Sequence, residues 1–170
     1  MRVEDAQRED VAAVRLLNEA EVPHVNSVDL EMFIRFFETA DYFRVVRDGD
    51  LIAGFLIGYL PGRPYDSLNY RWFDARYPSY LYVDRIVVSP ETRGRGVGRR
   101  LYDDFADFAA GRADRLTCEV NIRPPNEASM LFHRNYGFEE VGRQETEGGA
   151  KEVALMVKPL PRLAADQNSA

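Results

Sequence analysis

A nearly unbroken β-type run, "YLYVDRIVV" at residues 80–88, leads within a few residues to glycines at 94, 96 and 98 set among Arg93, Arg95, Arg99 and Arg100. An apolar run of this kind is the pattern of a strand buried on both faces, so the chain must cover a sheet from two sides. Beyond the glycines, Val97, Leu101, Phe105 and Phe108 recur at helical spacing, so the stretch reads strand–glycine turn–helix. Glycine loses backbone entropy on folding, clustered arginines repel one another, and cations at a helix N-terminus oppose the dipole. All three costs are relieved if an anion sits on the free N–H groups of the helix start, where the lack of a Cβ lets backbone approach it. The stretch therefore reads as a pyrophosphate cradle. Neither familiar nucleotide cradle fits, because no Lys-Ser or Lys-Thr follows the glycines and Arg99 stands where a dinucleotide fingerprint needs its third glycine.

The remaining elements fill in around this unit. "REDVAAVRLLNEAE" predicts a helix with Asp5 as its cap, and "SVDLEMFIRFFETA" a second, capped by Ser27. "YFRVVR" and "LIAGFLIGYL" predict two strands joined by the turn "DGD". Residues 61–79 have neither period but carry Tyr65, Tyr70, Trp72, Phe73 and Tyr77. They read as a long loop, open between a lid, a pocket wall, a packed surface loop and a dimer contact. "RLTCEV" predicts a strand, "NEASMLFHRNY" a helix ending at Gly137, and "GFEEVGRQ" and "KEVALMVKPL" a closing strand pair. The fold class expected is α/β (α+β), a single domain over residues 1–158 followed by a polar tail over 159–170 whose last residues, "AADQNSA", are expected to fray.

Composition excludes several classes. A net charge of −6 argues against a nucleic-acid partner. The single Cys118 excludes an internal disulfide and suits a reducing compartment, and His24 and His133, the only histidines, offer no metal-ligand cluster. No apolar run approaches a membrane span, and the N-terminus carries acids where a signal peptide is apolar, so no membrane partner and a cytoplasmic location are expected.

"VVSPETRGRGVGRRLY" resembles the acyl-CoA-binding motif of the GNAT superfamily of N-acetyltransferases, whose core Q/R-x-x-G-x-G/A corresponds here to Arg93, Gly96 and Gly98. The element order and "CEVNIRPPNEASMLFHRNYGFEEVG" extend the likeness over roughly residues 1–158, and together with "DSLNYRWF" it resembles a bacterial subgroup of acetyltransferases without an assigned substrate. The resemblance implies a mixed, mainly antiparallel twisted sheet of about seven strands with about four helices, and acetyl-CoA as cosubstrate without a metal. It implies that the backbone of Ile86, Val87 and Val88 holds the pantetheine arm. The N–H groups across Gly94, Arg95, Gly96, Val97, Gly98 and Arg99 would hold the pyrophosphate. Asn126 would contact the arm, and it is equally a good N-cap for the helix it precedes.

Acetyl transfer to an amine needs the neutral nitrogen, which for a lysine-like amine costs about 4 kcal/mol near pH 7.4. A base must take the proton as attack proceeds, and the oxyanion needs an N–H donor, expected from Val88 or a neighbour. Asp84 and Glu119 are the two candidate bases. Asp84 is expected on the sheet face of Ile86 and Val88, and each acid could instead pair with an arginine such as Arg85 or Arg123. His133 stands seven residues after Asn126, where relatives commonly have a tyrosine that protonates the leaving thiolate; it either takes that role or only packs on its helix. Cys118 alternates to the strand face opposite Glu119 and reads as a small buried apolar residue. The function expected is an acetyl-CoA-dependent N-acetyltransferase acting on a primary amine (a small amine, an amino acid or a peptide N-terminus) by direct attack in a ternary complex. The alternative is a non-catalytic acyl-CoA-binding or sensing protein. Exposed aromatics make a homodimer reasonable.

Overall fold

The computed structural model describes residues 1–161, so the expected fraying of "AADQNSA" lies outside the described residues. The strands are β1 (Arg2–Asp5), β2 (Tyr42–Asp48), β3 (Leu51–Tyr59), β4 (Leu81–Val88), β5 (Arg115–Arg123), β6 (Glu139–Thr146) and β7 (Lys151–Pro159). The helices are α1 (Val11–Glu19), α2 (Leu30–Thr39), α3 (Leu68–Asp74), α4 (Val97–Ala109) and α5 (Glu127–Tyr136). The strands form one sheet in the order β1-β2-β3-β4-β5-β7-β6, antiparallel throughout except for β4 and β5.

Each sheet face carries its own apolar layer. On one, Val11 and Val14 of α1, Phe33 and Phe36 of α2 and Tyr70 and Phe73 of α3 pack against Phe55, Ile57, Tyr82 and Leu155. On the other, Val97, Leu101, Tyr102 and Phe105 of α4 pack against Leu56, Val83, Cys118 and Met156. Alternation along β3 and β7 sends neighbouring residues to opposite layers, as a doubly covered sheet requires. Gly58 seats α4 on β3, because a Cβ there would lie 2.5 Å from the Phe105 ring.

Several local expectations are corrected. Residues 2–5 form strand β1, in which Asp5 pairs with Arg44 at 2.9 Å and does not cap a helix. A short turn, Arg8–Asp10, precedes α1, with the Gln7 N–H donating to the Asp10 carboxylate. The cap of α2 is Asp29, whose carboxylate accepts from the Met32 N–H, while the Ser27 hydroxyl donates to Glu19. The aperiodic stretch contains α3, capped by Ser67 and only seven residues long. Two turns are too few for periodicity to declare itself; Tyr70 and Phe73, three apart, supply its entire buried face. Asn126 does cap α5, its side-chain oxygen accepting from the Ser129 N–H, and Gly137 ends that helix in the left-handed region.

Candidate active site

β4 and β5 pair only at Leu81–Leu116 and Tyr82–Thr117, and then separate. Beyond that point β4 keeps its antiparallel bonds to β3 but has lost its other neighbour, so an edge opens in the middle of the sheet. Its backbone N–H and C=O groups over residues 83–88 can there be paired by an extended ligand lying as a strand. The opening widens into a cleft of about 1010 Å³. Its walls come from β4, the glycine turn, β5, the start of α5, the α1–α2 connection, residues 65–69 and the β6–β7 turn.

The glycine turn closes one end. Gly94 and Gly96 have φ of +75° and +79°, a region L side chains rarely adopt, and nothing lies within 4 Å of where their Cβ atoms would be. Gly98 has a different reason: a Cβ there would lie 3.1 Å from the Phe132 ring, so it sets the approach of α4 to α5. The Arg100 N–H makes the first helical bond, to the Gly96 carbonyl, which leaves the N–H groups of Val97, Gly98 and Arg99 ahead of the ladder. The arginines are not all aimed at this spot. Arg93 is paired with Glu21 of the α1–α2 connection, Arg95 reaches Asp48 at 2.8 Å, and the Arg99 guanidinium lies 5.8 Å from the Tyr136 ring centre. Asn126 lines the cleft from the α5 side and caps its helix at the same time.

The two carboxylates have different surroundings. In β4 the register to β3 passes from Arg85 directly to Val83, so Asp84 is the extra residue of a bulge. The bulge breaks the alternation. Ile86 and Val88 pack in the α4 layer. Asp84 bonds Tyr65 and Arg85, and Arg85 lies over the rings of Phe33 and Phe36 in the opposite layer. The expectation that Asp84 shares the face of Ile86 and Val88 is therefore corrected. Its partner Arg85 is 2.8 Å away, and both side chains are almost fully buried, at 5% and 8% exposure. Arg85 also donates to the Asn18 side chain at 3.0 Å.

Glu119 projects from β5 into the same cleft, and among the described residues no arginine is bonded to it. One carboxylate oxygen accepts from the Tyr82 hydroxyl at 2.9 Å; the other, Oε2, is buried and has no partner at hydrogen-bond geometry among the described residues, while the nearby Asn69 side chain favours the ionised form. Burial, and after it the nearby Asp84 charge, push this carboxyl up to about 8, against smaller opposing effects of Tyr82, Asn69 and Arg85. Cys118, one residue earlier, faces the α4 layer, and burial pushes its thiol well up, so it is no thiolate nucleophile.

His133 borders the cleft and is 3% exposed. Its Nδ1 lies 2.7 Å from the Ser129 carbonyl oxygen, which can only accept, so Nδ1 carries the proton. Nε2 then accepts from the Tyr102 hydroxyl at 2.7 Å. Both ring nitrogens are engaged, and burial pushes the imidazole below its ordinary value, keeping it neutral.

Residues 12–138 match the Acetyltransferase (GNAT) family. The chain belongs to that family. Over 69 residues it is 40% identical to the N-alpha-acetyltransferase RimI of Mycobacterium tuberculosis, covering 40% of this chain and 41% of that one. Over 135 residues it is 31% identical to the L-2,4-diaminobutyric acid acetyltransferase of Streptomyces coelicolor, covering 78% of this chain and 71% of that one. The structure of yncA from Salmonella typhimurium with acetyl-CoA superposes with a TM-score of 0.70 at 18% identity, covering 99% of this chain and 98% of that one, which shows the shared fold. Across three curated relatives it matches, the chain spans 17% to 56% of their length.

Within this GNAT domain the site contains residues that sequence reasoning did not single out. Tyr82 and Asn69 attend Glu119, Tyr65 attends Asp84, and Asn18 attends Arg85. Tyr82 carried a readable signal, since it ends the short pairing with β5 and faces away from Leu81 and Val83. Asn18 carried none: it is fully buried near the end of an amphipathic helix, 67 positions from its arginine. The aromatic segment is both core and wall. Tyr70, Phe73 and Tyr80 are buried, Tyr65 stacks on Tyr59 at 4.5 Å between ring centres, and residues 65–69 border the cleft. Among the described residues no helix is long and apolar enough to cross a membrane.

Proposed function

We propose that the protein is an acetyl-CoA-dependent N-acetyltransferase that moves an acetyl group to a primary amine by direct attack in a ternary complex. The observation that carries this reading is the cleft where β4 parts from β5, into which Glu119 projects with one carboxylate oxygen buried and unbonded among the described residues; burial there pushes the carboxyl up to about 8. A base is most effective when its pKa lies near the working pH, and an amine acceptor needs such a base. The open β4 edge at Ile86, Val87 and Val88 suits an extended amide-bearing arm. The N–H groups at the start of α4, with Gly94 and Gly96 open before them, suit a pyrophosphate. Asn126 borders the same space.

In this reading the amine nitrogen attacks the thioester carbonyl and Glu119 takes its proton, directly or through one water. A backbone N–H near Val88 donates to the oxyanion, and the C–S bond breaks to release the CoA thiolate. Asp84, held by Arg85 and Tyr65, does not act as the base. His133 has no free N–H to offer the thiolate and serves to fix α5 against α4. The names of the two curated relatives, an L-2,4-diaminobutyric acid acetyltransferase and an N-alpha-acetyltransferase, support a primary-amine acceptor.

The test is release of free thiol from acetyl-CoA across a panel of primary amines, with calorimetric binding of acetyl-CoA measured alongside. Amine-stimulated release is expected, with kcat rising through pH ~8 as Glu119 ionises. In Glu119→Gln the turnover should fall roughly 10²–10⁴-fold with acetyl-CoA binding retained. Binding without release for any amine would replace this reading with that of a non-catalytic acyl-CoA-binding protein.

A further inference from the structure

The two cleft carboxylates occupy matched positions on the parting strands. β4 and β5 are last paired at Tyr82 and Thr117, and Asp84 and Glu119 each stand two residues beyond that pair. Cys118 belongs to the α4 layer, so Glu119 beside it points to the other face, where Tyr82 bonds it and Tyr65 bonds Asp84. Both acids border the same opening. The rings behind them are continuous: Tyr65 and Tyr70 lie 5.6 Å apart between centres, and Tyr70 and Tyr82 5.4 Å. One aromatic cluster therefore supplies a hydroxyl to each acid.

The Asp84–Arg85 pair is almost wholly out of water, where charges are screened far less than at the surface. At Glu119 the Asp84 carboxylate opposes ionisation and the Arg85 guanidinium favours it, the acid having the larger effect. The other groups around Glu119 bring no charge so close. From β4 the Tyr82 hydroxyl donates to it, and from α3 the uncharged Asn69 favours its ionised form. Across the sheet, burial keeps the Cys118 thiol and the Tyr102 hydroxyl neutral, and the register partner on β7 is Leu155. On the outer walls of the cleft Glu21 is paired with Arg93, Glu147 with Lys151 and Asp66 with Arg71. The remaining titratable side chains there are Arg99, His24 and the neutral His133.

We infer that Asp84 and Arg85 act through Glu119 as positioning residues: the Asp84 carboxylate, facing Glu119 across the parted strands, holds back its ionisation, and Arg85 limits that hold. This rests on the transferase reading and deepens it. The pair touches no reacting atom. It sets how much of the base is available at a given pH, over and above its bonds to Tyr65 and Asn18.

The experiment follows kcat for thiol release against pH with one amine acceptor throughout, so that the acceptor's own titration cancels between variants. The chains compared are the wild type, Asp84→Asn, Asp84→Glu and the double variant Asp84→Asn/Arg85→Met. In Asp84→Asn the midpoint of the rise should fall by about one pH unit. The double variant, which also loses the arginine charge, should fall by less, and Asp84→Glu should return toward the wild type. The double variant carries the test if Asp84→Asn does not fold, since it leaves neither partner charged and unpaired. A purely structural pair gives lower kcat at every pH with the midpoint unmoved; that result, or a midpoint moved upward, overturns the inference. The Glu119 carboxyl, labelled with carbon-13 and assigned through Glu119→Gln, is also titrated by NMR without any acceptor. A lower value in Asp84→Asn supports the inference even if no amine is acetylated, and an unmoved value overturns it.

Discussion

The two strands that border the cleft each bury a carboxylate, and they provide for it in opposite ways. On β4, Asp84 sits on a bulge with a guanidinium 2.8 Å away and a tyrosine hydroxyl on its other oxygen. On β5, Glu119 sits in regular alternation with one tyrosine bond, and its other oxygen has no charged or closely bonded partner among the described residues. Removing one member of a buried ion pair leaves the other uncompensated, so a fully partnered acid is tied to the architecture. An acid buried without a counter-charge is destabilising when ionised and therefore stays ready to exchange its proton near neutrality. Burial is common to both acids, and the difference in partners is what assigns them different parts in the proposed mechanism.

Neutralising each acid in turn puts this contrast at greatest risk. Glu119→Gln should abolish most turnover, and Asp84→Asn should leave any folded protein with far more activity than that, the ratio of the two kcat/KM values being at least tenfold. Equal losses would mean that both acids serve the chemistry. Next in size, Asp84→Asn should cost about 3–5 kcal/mol in denaturant melts, because Arg85 is left charged and buried. An unchanged midpoint would remove the structural role assigned to the pair.

The same two acids should also part company in their response to pH. The Glu119 value rises from 4.5 to about 8 on folding, so the stability it permits is whole below about 4.5 and is lost as pH rises through about 8. In the proposed mechanism activity moves the other way, since there the ionised carboxylate is the base. Glu119→Gln should therefore gain stability over the wild type by a few kcal/mol at pH ~9 and show little difference at pH ~5. Thermal melts at the two pH values check this, and a gain of equal size at both would show that ionisation is not the cause. The smallest effect belongs to Tyr82→Phe, which removes the tyrosine hydrogen bond to the carboxylate. It should cost roughly 1 kcal/mol in stability and move the rise of kcat to higher pH, because the bond favours the ionised form. A shift to lower pH would contradict the assignment of the donor.

Much of the framework was legible in residue order. The continuous run at 80–88, the glycines at 94 and 96, the "DGD" turn, the Asn126 cap and the Gly137 stop are local features, and local sterics and hydrogen bonding act within a few residues. Strand β1 was not legible, since four residues with two acids gain their place only from pairing with β2. Helix α3 was not either, being too short for its period to stand out.

The site divides along the same line. The sequence itself read as a glycine turn at a helix start after a doubly buried strand, and its family resemblance put Asp84, Glu119, His133 and Asn126 near that turn, where all four border the cleft. Tertiary structure decided what each of them meets. A single bulge residue turned Asp84 to the other face, an α4 hydroxyl occupied His133, and Asn18 reached an arginine far along the chain. Whether a buried polar atom has a partner depends on groups brought together by packing from distant segments, and neither spacing nor periodicity records that.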